Sequence, residues 1–310
     1  MTPITILGAG VSGLTTAVLL IEAGYPVRIL SREAPEMTTS AVAAAIWFPY
    51  EAEPVNMVNR WSTESYHIFQ QLSDQAGTGV SMADFLVLSR PGHNDSWKDE
   101  LPPAAVRLAT RAELPPGFEL GYVAKVPLAE TPVYLPYLLE RFLSQGGQLN
   151  VQEVKEVDSL LQQGHIVVNC TGLGARQLFG DLDVYPIRGQ VVKVAKTPGV
   201  RTMVHSLVKG QLAYIIERSG DIVLGGTDYD HNYELDTSEE DTRLILQRCQ
   251  DLEPHLGTPA ILGAVAGLRP KRFAIRCERE TGRNVIHNYG HGGAGFTVSW
   301  GCAEEVLRFL

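Results

Sequence analysis

The sequence predicts an α/β fold in which parallel-type strands flank an antiparallel stretch. Three observations carry this. The chain opens on a strand, a glycine turn and an Ala/Leu-rich helix in immediate succession. Further on, Ile166-Val167-Val168-Asn169-Cys170 is a continuous apolar-rich run, the profile of a strand buried on both faces. From Val184 to Gly226 the pattern changes to short runs with partial alternation, as in strands with one solvated face.

Taken in order, Ile4 to Leu7 is the first strand, Gly8 to Gly13 the turn, Leu14 to Ala23 a helix stopped at Gly24, and Val27 to Leu30 the second strand. Helical periodicity returns from Met57 to Gln75. Proline and glycine then dominate to Leu128, which predicts irregular connections with short strands. Tyr134 to Ser144 reads as a helix ended by Gly146-Gly147. The runs Gln190 to Val194, Leu212 to Glu217 and Asp221 to Gly225 predict an antiparallel sheet suited to wall a ligand. Ser238 to Leu252 is a helix with Ser238 as its N-cap. Asn284 to His287 is a strand, Gly290 to Gly295 a turn, and Phe296 to Phe309 a closing helix.

A chain of 310 residues suffices for one large or two intertwined α/β domains. Lys plus Arg number 26 against 35 Asp plus Glu, a formal charge of −9 with no basic run, so nucleic acid and anionic membranes are poor partners. No basic stretch leads into an apolar segment with a cleavage site, and no apolar stretch reaches membrane-spanning length. The tail Arg308-Phe309-Leu310 is not a Ser-Lys-Leu peroxisomal address. A cytoplasmic protein is expected. Cys170, Cys249, Cys277 and Cys302 form no CxxC pair and no metal-type cluster with His; reduced, mostly buried thiols and no metal site are expected.

Gly8-x-Gly10-x-x-Gly13 between a strand and a helix is a dinucleotide fingerprint. Its glycines allow a tight turn, close approach of backbone to a pyrophosphate, and close helix–sheet packing, with Ala9 and Ser12 completing the cradle. The helix N-terminus adds partial positive charge. At the end of the second strand stand Ser31-Arg32-Glu33, and Glu33 lies 20 residues past Gly13. Glu33 could hold a ribose hydroxyl, Arg32 could take a phosphate or lie across the adenine, or both could be solvated turn residues.

Four further segments add to the fingerprint: Thr38 to Tyr50 (TTSAVAAAIWFPY), Val168 to Gly174 (VNCTGLG), Gly267 to Pro270 (GLRP) with Ile275-Arg276 following, and His287 to Gly295 (HNYGHGGAG). Together the five resemble the D-amino-acid oxidase and D-aspartate oxidase family, in that family's order and over nearly the whole chain. The resemblance implies a GR2-type flavoprotein: an FAD-binding Rossmann-like domain (1–50, 136–184 and 254–310) interleaved with an antiparallel-sheet substrate domain (51–135 and 185–253). It implies FAD as cofactor, and a D-amino acid and molecular oxygen as small-molecule partners. Hydride would pass from Cα to flavin N5, and the products would be a 2-oxo acid, ammonia and hydrogen peroxide. It leaves room for a homodimer.

The resemblance also implies site residues. Arg269 matches the residue whose guanidinium fork grips the substrate carboxylate, and Tyr214 the tyrosine that assists it. Gly293 matches the residue offering its carbonyl to the amine. Tyr50, with Trp47 and Phe48, either shapes the pocket wall or is an ordinary core aromatic. Thr39, Ser40, Ala44, Ala45 and Ile46 match positions that hold the FAD phosphate and isoalloxazine, largely through backbone. Val154 and Gly172 match adenine-side contacts and Thr297 a flavin-ring contact. Gly292, Gly293, Gly295 and Phe296 lead into the last helix, whose N-terminus would stabilise negative charge on the reduced flavin. No residue is expected to act as acid or base; His291 reads as structural, and Arg272 and Arg276 as surface or structural.

Two departures bear on substrate. A second tyrosine, usual four residues before the first in many relatives, falls on Gly210, so no mobile tyrosine-bearing lid is expected. Asp228 stands where the D-aspartate branch carries an arginine, and Tyr50 stands where a histidine would be expected in that branch. Neutral D-amino acids are therefore expected, with basic ones open if Asp228 faces the pocket and acidic ones if Lys209 does. The alternatives are a glycine or sarcosine oxidase, a non-catalytic flavin-binding protein, and an NAD-dependent dehydrogenase.

Overall fold

The strand Ile4–Leu7 is buried at all four residues and pairs in parallel on both sides, with Val27–Ser31 and with Ile166–Asn169. That double burial is why both it and Ile166–Asn169 read as unbroken apolar runs. In this computed structural model, which describes residues 1–49, 51–208 and 210–310, Tyr50 and Lys209 lie outside the described residues. The parallel order extends to Val285–His291 beyond Ile166–Asn169 and to Gln148–Val151 beyond Val27–Ser31. The fold is α/β.

The chain forms two compact units. The first comprises Met1–Ser81, Ala129–Pro186 and Arg269–Leu310. It holds the parallel strands and the helices Val11–Glu22, Val55–Ser73, Thr131–Ser144 and Ser299–Arg308. Ile4, Ile6, Leu14, Val18, Phe69, Leu138 and Trp300 meet in its core. Residues 51–81, ascribed above to a substrate domain, lie in this unit. The buried face of Val55–Ser73 (Val58, Trp61, Ser65) packs on Ser299–Arg308, and the Gly301 N–H donates to Ser65 Oγ at 2.9 Å.

The second unit comprises Met82–Leu128 and Ile187–Leu268. The strands Ala213–Glu217, Ile222–Gly225 and Tyr185–Val194 run antiparallel to their neighbours, as the alternation predicts. Met203–His205 pairs antiparallel with Ala213–Glu217 and parallel with Val80–Ser89. Leu88, Val192, Val194, Met203, Ile215 and Leu224 share a core with Ile245 and Cys249 of the helix Glu239–Leu252. Ser238 caps that helix, accepting from the Asp241 N–H at 3.2 Å. Buried Arg188 makes four hydrogen bonds. It donates to Asp241 Oδ2 at 2.8 Å, Gln190 Oε1 at 3.1 Å, and the carbonyls of Asp236 at 2.7 Å and Glu234 at 3.0 Å. Such a buried ion pair is tolerable because each guanidinium nitrogen has an acceptor.

Several elements differ from expectation. The first helix starts at Val11, because Gly10 in extended conformation is already its N-cap. The region read as irregular contains two ten-residue strands, Val80–Ser89 and Leu120–Ala129. In the first of them Phe85 to Ser89 are buried on both faces, so no alternation marks it. The strand Ile261–Arg279, interrupted in sequence by Gly263, Gly267 and Pro270, was not anticipated. Val285–His291 runs through Gly290 into what reads as a turn. The last helix begins at Ser299 rather than Phe296, after a 3-10 turn at Gly292–Ala294.

Gly301 lies so close to the helix Val55–Ser73 that an added Cβ would overlap the Trp61 Cα and carbonyl. Backbone cannot rotate away as a side chain can. Gly301→Ala is therefore expected to destabilise the protein by about 1–3 kcal/mol or more, seen as a lowered urea midpoint; an unchanged midpoint would contradict this packing.

Candidate functional site

The glycine turn is shaped by backbone meeting backbone. Gly8 has φ +103°, its N–H donates to Leu30 O at 2.8 Å, and a Cβ there would lie 2.5 Å from Cys170 O. A Cβ on Gly13 would overlap Gly8 O, and one on Gly10 would lie 3.0 Å from Ser40 Oγ. Two serines tie the turn down. Ser31 Oγ accepts from the Ala9 N–H at 3.2 Å, and Ser40 Oγ accepts from the Val11 N–H at 2.9 Å. The helix that follows has no acidic residue in its first turn, so its positive end is not neutralised by its own side chains. A glycine turn without room for side chains, opening onto such an N-terminus, fits the pyrophosphate of a dinucleotide.

At the end of the second strand, Arg32 and Glu33 pair with each other: Arg32 Nη2 donates to Glu33 Oε1 at 2.8 Å. Arg32 is exposed and Glu33 half-buried, with side-chain exposures of 69% and 41%. Val154 packs against Leu7, Leu30 and Val157 close by.

Thr39–Val42 is a single helical turn leading to Ala44, Ala45 and Ile46. Ala45 holds a left-handed φ of +58°, and its carbonyl accepts from the Ala129 N–H at 3.0 Å. That conformation costs an alanine roughly 1–2 kcal/mol and is offset by the surrounding bonds. Thr297 is buried, and its hydroxyl accepts from the Phe48 N–H and donates to the Phe48 carbonyl, each at 3.0 Å. Trp47 is a core residue: it is buried, and its indole N–H donates to Ser62 O at 3.0 Å. Tyr50 lies outside the described residues.

The antiparallel ladder of Ile261–Arg279 with Val285–His291 aligns Lys271 with His291. Arg269 lies two residues before that pair and Gly293 two residues after it, so the ladder brings the two segments alongside. Arg269 is half-buried and Gly293 exposed. Gly290 and Gly292 have φ of +87° and +54°. A Cβ on them would lie 2.9 Å from Arg272 Cβ and 2.8 Å from Lys271 Cδ, so the turn needs glycine on both counts. Gly172, at φ +55°, lies against the same segment, where a Cβ would be 3.3 Å from Pro270 Cγ. The helix-dipole role expected of Gly295 and Phe296 requires correction: residues 295–298 form turns, and the helical N-terminus belongs to Ser299.

Arg272 and Arg276 are held by neighbours. Arg272 Nε donates to Asp181 Oδ2 at 2.9 Å, and Arg276 Nη1 to Tyr289 Oη at 3.1 Å. Burial opposes ionisation of Asp181, but the Tyr289 hydroxyl, the Asp183 N–H and Arg272 outweigh it and hold its pKa below the ordinary value. Burial, reinforced by Asp181, pushes the Tyr289 hydroxyl up to about 12.

His291 is buried, and burial pushes its pKa down to about 4. It bonds Asn288 Oδ1 through Nε2 at 3.0 Å and meets Ser12 Oγ at 3.4 Å through Nδ1, while Asn288 Nδ2 donates to Thr16 Oγ1 at 3.1 Å. A neutral ring thus links the end of Val285–His291 to the first helix. This network of Ser12, Thr16, Asn288 and His291 joins residues some 270 positions apart, and no local signal announces it.

In the second unit, Tyr214 is half-buried on Ala213–Glu217, opposite Val204 and Gly225. Asp228 is half-buried after Thr227, whose hydroxyl accepts from the Gln190 N–H at 2.8 Å. Lys209 lies outside the described residues. Among the described residues, no group of three His, Cys, Asp or Glu could hold a metal ion.

Residues 3–308 match a family described as FAD dependent oxidoreductase. The chain is 42% identical over 305 residues to a D-amino-acid oxidase of Rubrobacter xylanophilus, covering 97% of this chain and 93% of the relative. It is 40% identical over 313 residues to a D-amino-acid oxidase of Streptomyces coelicolor, covering 98% and 95%. Among solved structures, glycine oxidase from Geobacillus kaustophilus aligns with a TM-score of 0.82 over 99% of this chain and 94% of that one. At 19% identity this is a likeness of fold.

His287 shares the behaviour of His291: burial, with Arg276 adding to it, pushes its pKa down to about 4. Unfolded histidine titrates near 6.5. Between about 4 and 6.5 the unfolded chain therefore binds more protons than the folded one. The histidines' contribution is full above that window and is lost as pH falls through it. Urea unfolding across this range is expected to give a flatter stability–pH curve for His291→Gln than for the parent; superimposable slopes would contradict a buried neutral histidine.

Proposed function

The chain belongs to the family of FAD dependent oxidoreductases, and on that premise we propose that it is a D-amino-acid oxidase whose substrates are neutral D-amino acids, basic ones being admitted if Asp228 faces them. The observation that carries this is the identity to D-amino-acid oxidases at 40% or more over nearly the full length of both chains. The ladder that brings the Arg269 and Gly293 segments alongside supports it.

When bound, FAD accepts the hydride from Cα and returns the electrons to oxygen as hydrogen peroxide. Gly8, Ala9, Gly10, Ser12 and Gly13 would hold its pyrophosphate, with Ser31 and Ser40 fixing the shape of that turn. Arg32, Glu33, Val154 and Gly172 would lie on the adenosine side. Thr39, Ala44, Ala45, Ile46, Gly292, Gly295, Phe296 and Thr297 would line the flavin side. Tyr214 would belong to the substrate wall.

The protein's own contribution is binding and orientation. The Arg269 guanidinium takes the substrate carboxylate through paired charge-assisted hydrogen bonds. The Tyr214 hydroxyl donates to the same carboxylate. The Gly293 carbonyl accepts from the amine, which turns Cα–H towards the acceptor. The amine loses its proton to solvent, and no side chain serves as obligatory base; His291, neutral and spoken for by Asn288 and Ser12, is not one. Among the described residues no helix is long and apolar enough to cross a membrane. All four cysteines are free thiols, which supports a reducing compartment such as the cytoplasm.

The test is peroxide release by FAD-loaded protein with D-Ala, D-Phe, D-Arg, D-Asp, glycine and the L-enantiomers. Turnover of D-Ala and D-Phe but not their L-forms is expected, and D-Arg reports on Asp228. Peroxide from D-Asp alone would overturn the substrate assignment, and silence from yellow, folded protein would overturn the oxidase. Arg269→Met is expected to cut kcat/KM by on the order of 10²–10⁴, from two lost bonds to a charged group, with FAD content unchanged.

A further inference from the structure

We infer that Gly225 and Gly226 are positioning residues for Tyr214, forming the slot that fixes its hydroxyl. The inference rests on the assignment of Tyr214 to the substrate carboxylate. Tyr214 and Gly225 are direct partners in the antiparallel ladder of Ala213–Glu217 with Ile222–Gly225. A Cβ on Gly225 would fall inside hard contact with Tyr214 Cζ, Cε2 and Oη. One on Gly226 would lie 3.0 Å from Tyr214 Cε1 and 3.5 Å from Leu212 Cδ2. The outer half of the ring therefore lies across the backbone of the glycine pair.

Neither glycine adopts a left-handed φ, and what a side chain at either position would meet is the Tyr214 ring. An aromatic ring covering a cross-strand glycine is a recognised way to stabilise a sheet, and it leaves the ring one place to lie. From the helix Glu239–Leu252, buried Cys249 turns its thiol towards Tyr214 O at 3.5 Å and Gly225 O at 3.8 Å, on the two strands whose ladder sets this register. The atoms a new Cβ would meet are the far end of the tyrosine side chain. A methyl at 225 would thus displace the hydroxyl by rotating the ring, with the strands left in place.

The test is a double-mutant cycle on FAD-loaded protein, reading KM and kcat for D-alanine together with FAD content and thermal midpoint. Tyr214→Phe and Tyr214→Ala are each expected to raise KM. Gly225→Ala alone is expected to raise KM about tenfold with FAD retained, and Gly226→Ala less, in the same direction. In the Tyr214→Ala background the ring is gone, so Gly225→Ala should add nothing. An equal, additive loss in both backgrounds would mean the glycines serve only the sheet, and the inference falls. An unchanged KM in Tyr214→Ala and Tyr214→Phe would remove the role of Tyr214 itself, and the inference with it. If Gly225→Ala does not fold, recovery of folding in Gly225→Ala/Tyr214→Ala supports the clash. If neither folds, the same cycle with Gly226→Ala decides, additivity again counting against the slot.

Discussion

Contact of backbone with backbone at Gly8 governs the first unit. The turn after Ile4–Leu7 bends so sharply that Gly13 reaches back to the Gly8 carbonyl, and Gly8 itself presses on the carbonyl of Cys170. Those contacts require a neighbouring parallel strand that also ends in a turn, which Ile166–Asn169 supplies. The candidate residues then follow from strand order. Gly8, Arg32, Thr171 and Gly292 each come just after the carboxyl end of a parallel strand, and their turns open on the same edge of the sheet. A crevice at the carboxyl ends of parallel strands is where such folds bind ligands.

The polar groups along that edge are engaged mostly with one another. Ser31 and Ser40 spend their hydroxyls on the amides of the glycine turn. Asn169 accepts from the Thr171 N–H and hydroxyl at 3.1 and 2.7 Å. His287 and His291 stay neutral because burial disfavours their charged forms. Of the arginines near the GLRP segment, Arg272 and Arg276 are held by Asp181, Tyr289 and Glu278. Shape and preorganised dipoles, more than titrating groups, are what this architecture offers to chemistry.

Local patterns were legible in the sequence and distant ones were not. The strand–glycine turn–helix order, the buried strand at 166 and the Ser238 cap are each written within about a dozen residues, and each is present in the structure, the helix opening at Val11. Val80–Ser89 and Ile261–Arg279 were missed because prolines and glycines nearby outweigh a burial pattern that only remote partners explain. The late start of the last helix was missed for a similar reason: the glycines permit either conformation, and ladder partners on Ile261–Arg279 keep His291 extended. The GLRP and HNYGHGG segments single out Arg269 and Gly293, and the ladder runs those two segments side by side. The paired glycines at 225 served only as a landmark for Asp228, since their meaning depends on a ring one strand away.

The interleaving of the two units also fixes the order in which the protein can be completed during synthesis. The second unit has all its residues once the chain has reached Leu268. The first has the glycine turn before the second is begun, yet it lacks Val285–His291 and Ser299–Arg308 until the second is complete. The first unit is therefore begun first and finished last, with a whole unit made in between. An early N-terminal segment with an unfilled sheet edge must stay protected for most of that time, which makes the nascent chain, more than the finished enzyme, the state exposed to misfolding.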